Sequence, residues 1–213
     1  MKNAAIAAAL LGTIAAPAAY LSAQDAEVPS RMDRSRVTAG TYATDPAHTL
    51  VEWSVSHFGF NPYFGLFGDV EGTLQLDPAN LSAAKVDVRI PIASVAVPSE
   101  GLREHLLRPA EDGGNADFFG AEPGMARFVS TSVTPLGANR AIINGTLTMN
   151  GRSGPVALVA EFTGAGGNPM NQAETVGFMA ETTIQRSNWG VSYGIPMVAD
   201  EVDLKISAAF EKQ

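Results

Sequence analysis

From Thr41 onward, hydrophobic and polar residues alternate in short runs broken by Gly, Pro, Asn and Asp. Val51, Trp53, Val55 and His57 share one parity, with Glu52, Ser54 and Ser56 on the other. Leu66, Gly68, Val70, Gly72, Leu74 and Leu76 alternate with Phe67, Asp69, Glu71, Thr73 and Gln75. Val86, Val88, Ile90 and Ile92 alternate with Lys85, Asp87 and Arg89. Near the end, Val202, Leu204, Ile206, Ala208 and Phe210 alternate with Glu201, Asp203, Lys205 and Ser207. Period two with one polar face marks a half-buried antiparallel strand. Four further runs, 126–135, 140–149, 155–163 and 174–186, are rich in Val, Ile, Thr and Phe and are bounded by turn residues. Asn150-Gly151 is a type I′ hairpin signal, and residues 164–171 read as another hairpin loop. About eight strands joined in sequence order close into a barrel or stack as a two-sheet sandwich, and periodicity leaves both open. One segment has helical spacing instead. Pro98-Ser99 starts it, Glu100 suits its first turn, and Leu102, Leu106 and Leu107 share a face before Pro109. It lies in the longest non-strand connection, residues 98–124.

The first residues have a different texture. Lys2 precedes an apolar run, Ala4 to Ala16, and then Pro17 and small residues. This is the layout of a secretory signal peptide, expected over residues 1–23, with cleavage after Ala18 or Ala23. The run is too short for a membrane span, which needs about 20 apolar residues. Gln24 stands where a lipid anchor would need Cys. Residues 24–40 are polar and aperiodic and read as a mobile leader, leaving one domain over 41–213. No later segment is apolar enough to cross a bilayer, so the expected mature protein is not membrane-integral. The formal charge of −8 argues against nucleic acid as a partner. With no cysteine, thiol catalysis, zinc–thiolate sites and iron–sulfur clusters are excluded.

Candidate chemistry is sparse. The three histidines, His48, His57 and His105, have no metal-ligand spacing, and no GxSxG or phosphate-loop motif is present. The carboxylates Asp69, Glu71, Asp87 and Asp203 fall on outward parity. Two polar residues break the pattern. His57 continues the inward row of Trp53 and Val55, and Arg186 continues the inward row of Val176, Phe178, Ala180 and Ile184. Either group could hold the polar head of a ligand at the end of an apolar cavity. A local pairing of Arg186 beyond the strand end is the competing reading. Inward glycines, Gly68, Gly72 and Gly145, either leave room for a ligand or bend the strands.

The landmarks, in order, resemble the YceI-like proteins, lipocalin-like polyisoprenoid-binding barrels. They are Asp45 to Thr49 (DPAHT), Ser56-His57-Phe58-Gly59 with Gly65-Leu66-Phe67, and Arg103-Glu104-His105-Leu106. Asp117-Phe118-Phe119 then precedes Pro123 and Phe128-Val129-Ser130-Thr131. Gly145 to Gly151 with Pro155-Val156, and Arg186-Ser187-Asn188-Trp189-Gly190, complete the set. The sequence departs from the family pattern in the Arg-Glu-His spacing, in a longer loop after Leu107 and in Trp189 where Phe is usual. The resemblance implies an all-β, eight-stranded antiparallel lipocalin-like barrel in the periplasm, with one short helix in a long connection. It also implies a non-catalytic binding protein with an isoprenoid-type amphiphile, polyprenyl or quinone-like, inside. The expected ligand-binding residues are Trp53, Val55, His57, Phe64, Val70, Phe118, Phe119, Phe178 and Arg186. No cofactor is required; an isoprenoid lipid is the expected occupant. A homodimer and a membrane redox partner stay open, as does an enzyme using His57 or His105 as acid or base. An exposed apolar patch on the 98–124 excursion would favour the redox partner.

Overall fold

A computed structural model describes residues 28–111 and 114–213. The expected signal peptide and the start of the expected leader lie outside the described residues. The period-two runs form strands β1 (Gly40–Thr44), β2 (Leu50–His57), β3 (Asn61–Phe67), β4 (Glu71–Leu76) and β5 (Lys85–Pro91). Helix α1 (Glu100–Leu106) follows, and then β6 (Met125–Leu136), β7 (Arg140–Met149), β8 (Arg152–Gly167), β9 (Glu174–Gln185) and β10 (Val198–Lys212). Every pairing is antiparallel, and pairing of β1 with β10 closes the sheet on itself. β1 and β2 lie one after the other along the same side of β10, with Tyr42 opposite Lys212 and Val51 opposite Ile206. β4 and β3 pair with them in the same succession. Each of these broken pairs occupies one place on the circumference, so the fold is a closed eight-stranded barrel with one short helix. Closure leaves few free sheet edges and encloses an interior. This decides between barrel and sandwich.

The run read as one strand over 66–76 is two. Asp69 adopts φ 53°, and residues 68–70 leave the ladder. The interruption shifts the inward parity. Gly65 and Phe67 are buried before it, and Val70 and Leu74 after it. Phe64 and Leu66 therefore face solvent, 53% and 37% exposed. The clean alternation in β10 needs no correction: Leu204, Ile206, Ala208 and Phe210 face inward, while Glu201, Asp203, Lys205 and Ser207 are exposed. Asn150 and Gly151 both have positive φ, 49° and 70°, the conformation a type I′ turn demands. β8 runs on to Gly167, through the first half of the segment read as a loop.

Two apolar clusters fill the ends of the barrel. At one end Phe67, Ile92, Val95, Leu106, Trp189 and Val191 are buried together under α1. Ser99 caps this helix by accepting a hydrogen bond from Leu102 N–H at 3.3 Å. Phe119 closes on Phe67 with ring centroids 6.0 Å apart, and Trp189 Nε1 donates to Leu147 O at 3.0 Å. At the other end Val37, Tyr42, Leu74, Phe162, Val176 and Phe210 pack together. The stretch read as a leader is held against this end over its described part. Arg31 pairs with Ala165 through two main-chain bonds, and Val37 is 8% exposed.

Candidate functional site: an apolar cavity with a two-arginine rim

The inward-facing side chains of the middle of the barrel do not meet. They surround a cavity of about 230 Å³, somewhat smaller than ordinary small-molecule pockets, which run roughly 300–1,000 Å³. Its wall is almost wholly apolar: Val86 and Val88 on β5, Leu158 on β8, Phe178 on β9, and Ile206 and Phe210 on β10 are representative. Phe162, Phe178 and Phe210 form a ladder of rings, the first pair tilted and the second edge-on, with centroids 5.9 and 6.3 Å apart. At one end the wall passes into turns. Pro78 and Leu81 come from the β4–β5 connection, and Ala138, Asn139 and Arg140 from the β6–β7 turn. Arg34 arrives from the N-terminal segment and donates from Nη1 to Ala138 O at 2.8 Å. Arg34 and Arg140 are the charged residues on this wall, and neither forms an ion pair with a described residue. Thr44, Thr49, Asn139 and Thr182 are its other polar side chains.

The structure separates the expected site residues. Val70 and Phe178 line the cavity. The others do not. Trp53 lies over Gly65, where a Cβ would come 2.3 Å from its ring, and it packs against the cluster under α1. Its Nε1 is buried without a hydrogen-bond partner. Val55 is half-buried farther along β2, and His57 is exposed at the strand's end, edge-on to Phe58 at 4.2 Å. Phe64 points outward because of the parity shift. Phe118 and Phe119 pack on the plug from outside the cavity.

Arg186 does turn inward, and it is 6% exposed, but not toward a ligand. The strand ends at Gln185, and Arg186 opens a 3₁₀ turn, Arg186–Trp189. Its Nε donates to Ala199 O at 2.8 Å and its Nη1 to Val191 O at 2.9 Å. Nη2 serves Tyr193 O and Val198 O, both at 2.9 Å. The guanidinium ties the loop from Gly190 to the start of β10, and Arg186 is not among the residues that line the cavity. Two of the three glycines have their space filled, whereas a Cβ on Gly68 would meet only Leu50 Cδ2, at 3.7 Å. A Cβ on Gly72 would meet Asp87 O at 2.2 Å, and the space beside Gly145 is taken by the Phe128 ring.

His105 Nε2 lies 2.8 Å from Asp117 Oδ2, and the imidazole packs edge-on against Phe118 and Tyr193 at 5.1 and 5.2 Å. This group sits on α1 and the loops of the plugged end. The antiparallel order puts that end opposite the rim. Among the described residues, the 98–124 excursion turns Leu102 of α1, Leu107, Phe118 and Phe119 toward the core. The exposed aromatics are Phe58 and Phe60 at the β2–β3 turn, 46% and 89% exposed, Phe64 beyond them, and Tyr193, 49% exposed beside His105 and Phe118.

A closed antiparallel barrel around an apolar cavity is the class of fold that encloses one small ligand. The chain belongs to the YceI-like family: the family's domain pattern matches residues 42–210. A UPF0312 protein of Ectopseudomonas mendocina is 33% identical over 172 residues, which cover 79% of this chain and 86% of the relative. Among solved structures, BcnA of Burkholderia cenocepacia aligns with a TM-score of 0.66 at 24% identity, covering 78% of this chain and 98% of its own. A polyisoprenoid binding domain from Saccharophagus degradans aligns with a TM-score of 0.55 at 13% identity, covering 81% and 98%. The last two likenesses concern the fold.

Proposed function

We propose that this protein is an exported, non-catalytic carrier or sequestering protein. It holds one isoprenoid-type amphiphile, polyprenyl or quinone-like, with the chain in the cavity and the polar head at the rim. The observation that carries this reading is the cavity's polarity. Its wall is apolar along its length, and its two charged lining residues, Arg34 and Arg140, belong to the end where it passes into turns. Each methylene moved from water into such a space contributes roughly 0.8 kcal/mol, so a prenyl chain needs no specific polar contact to be held. The guanidiniums supply directional donors for an oxygen-bearing head. The Saccharophagus domain, named for polyisoprenoid binding, has the same fold and supports the choice of ligand class. The signal layout over residues 1–23 supports export to the periplasm.

Native mass spectrometry and organic extraction of the purified protein test the reading. One lipid per chain is expected, and added prenyl lipid is expected to raise the melting temperature of the emptied protein. A protein that yields no lipid and gains no stability from any prenyl compound would refute it. N-terminal sequencing of the exported form is expected to begin at Ala19 or Gln24.

A further inference from the structure

Phe128 stands at the foot of the cavity. Its ring lines the wall and, at 5% exposure, also belongs to the packed cluster below, with Leu106, Met149, Val156 and Trp189. It is the boundary between hollow and solid interior. Its position depends on a neighbour one strand away. A Cβ on Gly145 would lie 2.3 Å from Phe128 Cζ and 2.5 Å from Cε2. The ring fills the volume in which any other side chain at 145 would begin. Gly145 sits within β7 and is not among the residues of positive φ, so the backbone there asks for no glycine. What asks for it is the ring, together with the Val129 carbonyl of the neighbouring strand, 2.6 Å from the same point.

We infer that Phe128, seated on Gly145, sets the depth of the cavity and so the length of chain it accepts. This rests on the lipid-holding function proposed above. Trimming the ring leaves room at the floor, beside Leu147 and Val156, and lets the chain reach deeper. A methyl group on Gly145 evicts the ring. The cluster beneath is already filled, so the ring moves up into the lumen, while the Val129 carbonyl, 2.6 Å from the new Cβ, obliges β6 to give way as well. The two positions therefore shift selectivity in opposite directions, which a generally loosened core would not do.

The test uses the emptied full chain and a ladder of all-trans prenyl alcohols differing by single isoprene units. They are offered together, and the retained species are read by native mass spectrometry. Phe128→Ala and the gentler Phe128→Leu are expected to move the best-retained length upward by at least one unit. Gly145→Ala and Phe128→Trp are expected to move it downward. Phe128→Leu and Phe128→Trp keep the core filled and stand in should either harsher variant not fold. Equal length preference in wild type and in folded Phe128→Leu and Phe128→Trp would overturn the inference while leaving lipid binding intact. Failure of the wild type to retain any prenyl alcohol would overturn both.

Discussion

Arg186 uses all three nitrogens of its guanidinium on main-chain carbonyls, two of them on Nη2. Lysine in its place keeps the charge but offers a compact ammonium instead of a planar fork. Some of the carbonyls of Val191, Tyr193, Val198 and Ala199 would then go unsatisfied, at roughly 1–3 kcal/mol for each that stays buried. Arg186→Lys is expected to lower the unfolding free energy by about 2–4 kcal/mol in urea titration. The identity of the bound lipid should not change, since the group lies outside the cavity. An unchanged urea midpoint would mean the 190–199 loop is held by other contacts. The rim arginines predict the reverse pattern. Arg34→Gln with Arg140→Gln should leave stability nearly untouched. Affinity for an amphiphile with an anionic head should drop about tenfold, roughly 1.4 kcal/mol, with no effect on a neutral one. Isothermal titration with matched chains separates the two. Equal losses for both heads would place the head elsewhere.

The segment before β1 behaves as an added half-strand. β8 extends past the end of β7, whose last partner is Glu161, and leaves a free edge. Arg31 takes that edge through Ala165, and Gly164 and Gly166 let the two backbones approach. A Cβ on Gly166 would sit 2.4 Å from Pro29 O. Gly166→Val is expected to unseat residues 29–31, so that the amides of Arg31 and Ala165 exchange at least tenfold faster with deuterium while the amides of β9 and β10 keep their protection. Unchanged exchange at Arg31 would show that the pairing is not what orders this stretch. Here the limits of sequence reading become physical. The inward faces of β5, β9 and β10 are legible from their period-two rows, Phe178 among them; Val70 lies outside these strands, in the interruption between β3 and β4. Phe64 was misassigned because a single residue, Asp69 at φ 53°, resets the parity between β3 and β4, and nothing in the alternation records the reset. Arg186 was extrapolated one residue past a strand end. Arg34 and Arg140 escape the pattern for different reasons: Arg34 sits in a 3₁₀ turn of an aperiodic stretch, and Arg140 opens the 140–149 run on the parity opposite to Ala141, Ile143 and Leu147. Their only trace in the sequence is basic character in an acidic chain, beside stretches that cap the barrel.

Closure of the whole barrel depends on the place where its first and last strands meet. Tyr42, fully buried on β1, donates its phenol hydrogen to Glu174 Oε1 at 2.5 Å. Glu174 also accepts from Thr38 N–H and Oγ1–H, at 2.8 and 2.7 Å, and Lys212 on β10 stands 3.8 Å away. Burial alone would raise the Glu174 carboxyl, but the hydrogen bonds from Tyr42 and Thr38 and the Lys212 charge outweigh it and leave it below its ordinary 4.5. A carboxyl lowered in the folded state contributes stability that is complete above its unfolded value and is lost as pH falls through the folded one. Burial and the Glu174 carboxylate push the Tyr42 phenol up to about 12 from 10.0. A phenol raised in this way contributes stability that is complete below about pH 10 and is lost as pH rises toward 12. The clasp therefore weakens at both extremes, and each arm has its own variant. Glu174→Gln is expected to be less stable than wild type near neutrality, yet to lose less stability between about pH 5 and pH 3. Tyr42→Phe should flatten the alkaline arm and leave the acid slope shallower as well, because Glu174 loses its strongest donor. Urea midpoints across pH measure both. Parallel acid slopes for wild type and Glu174→Gln would assign the acid response to exposed pairs such as Asp87–Arg127, which lies outside the closure.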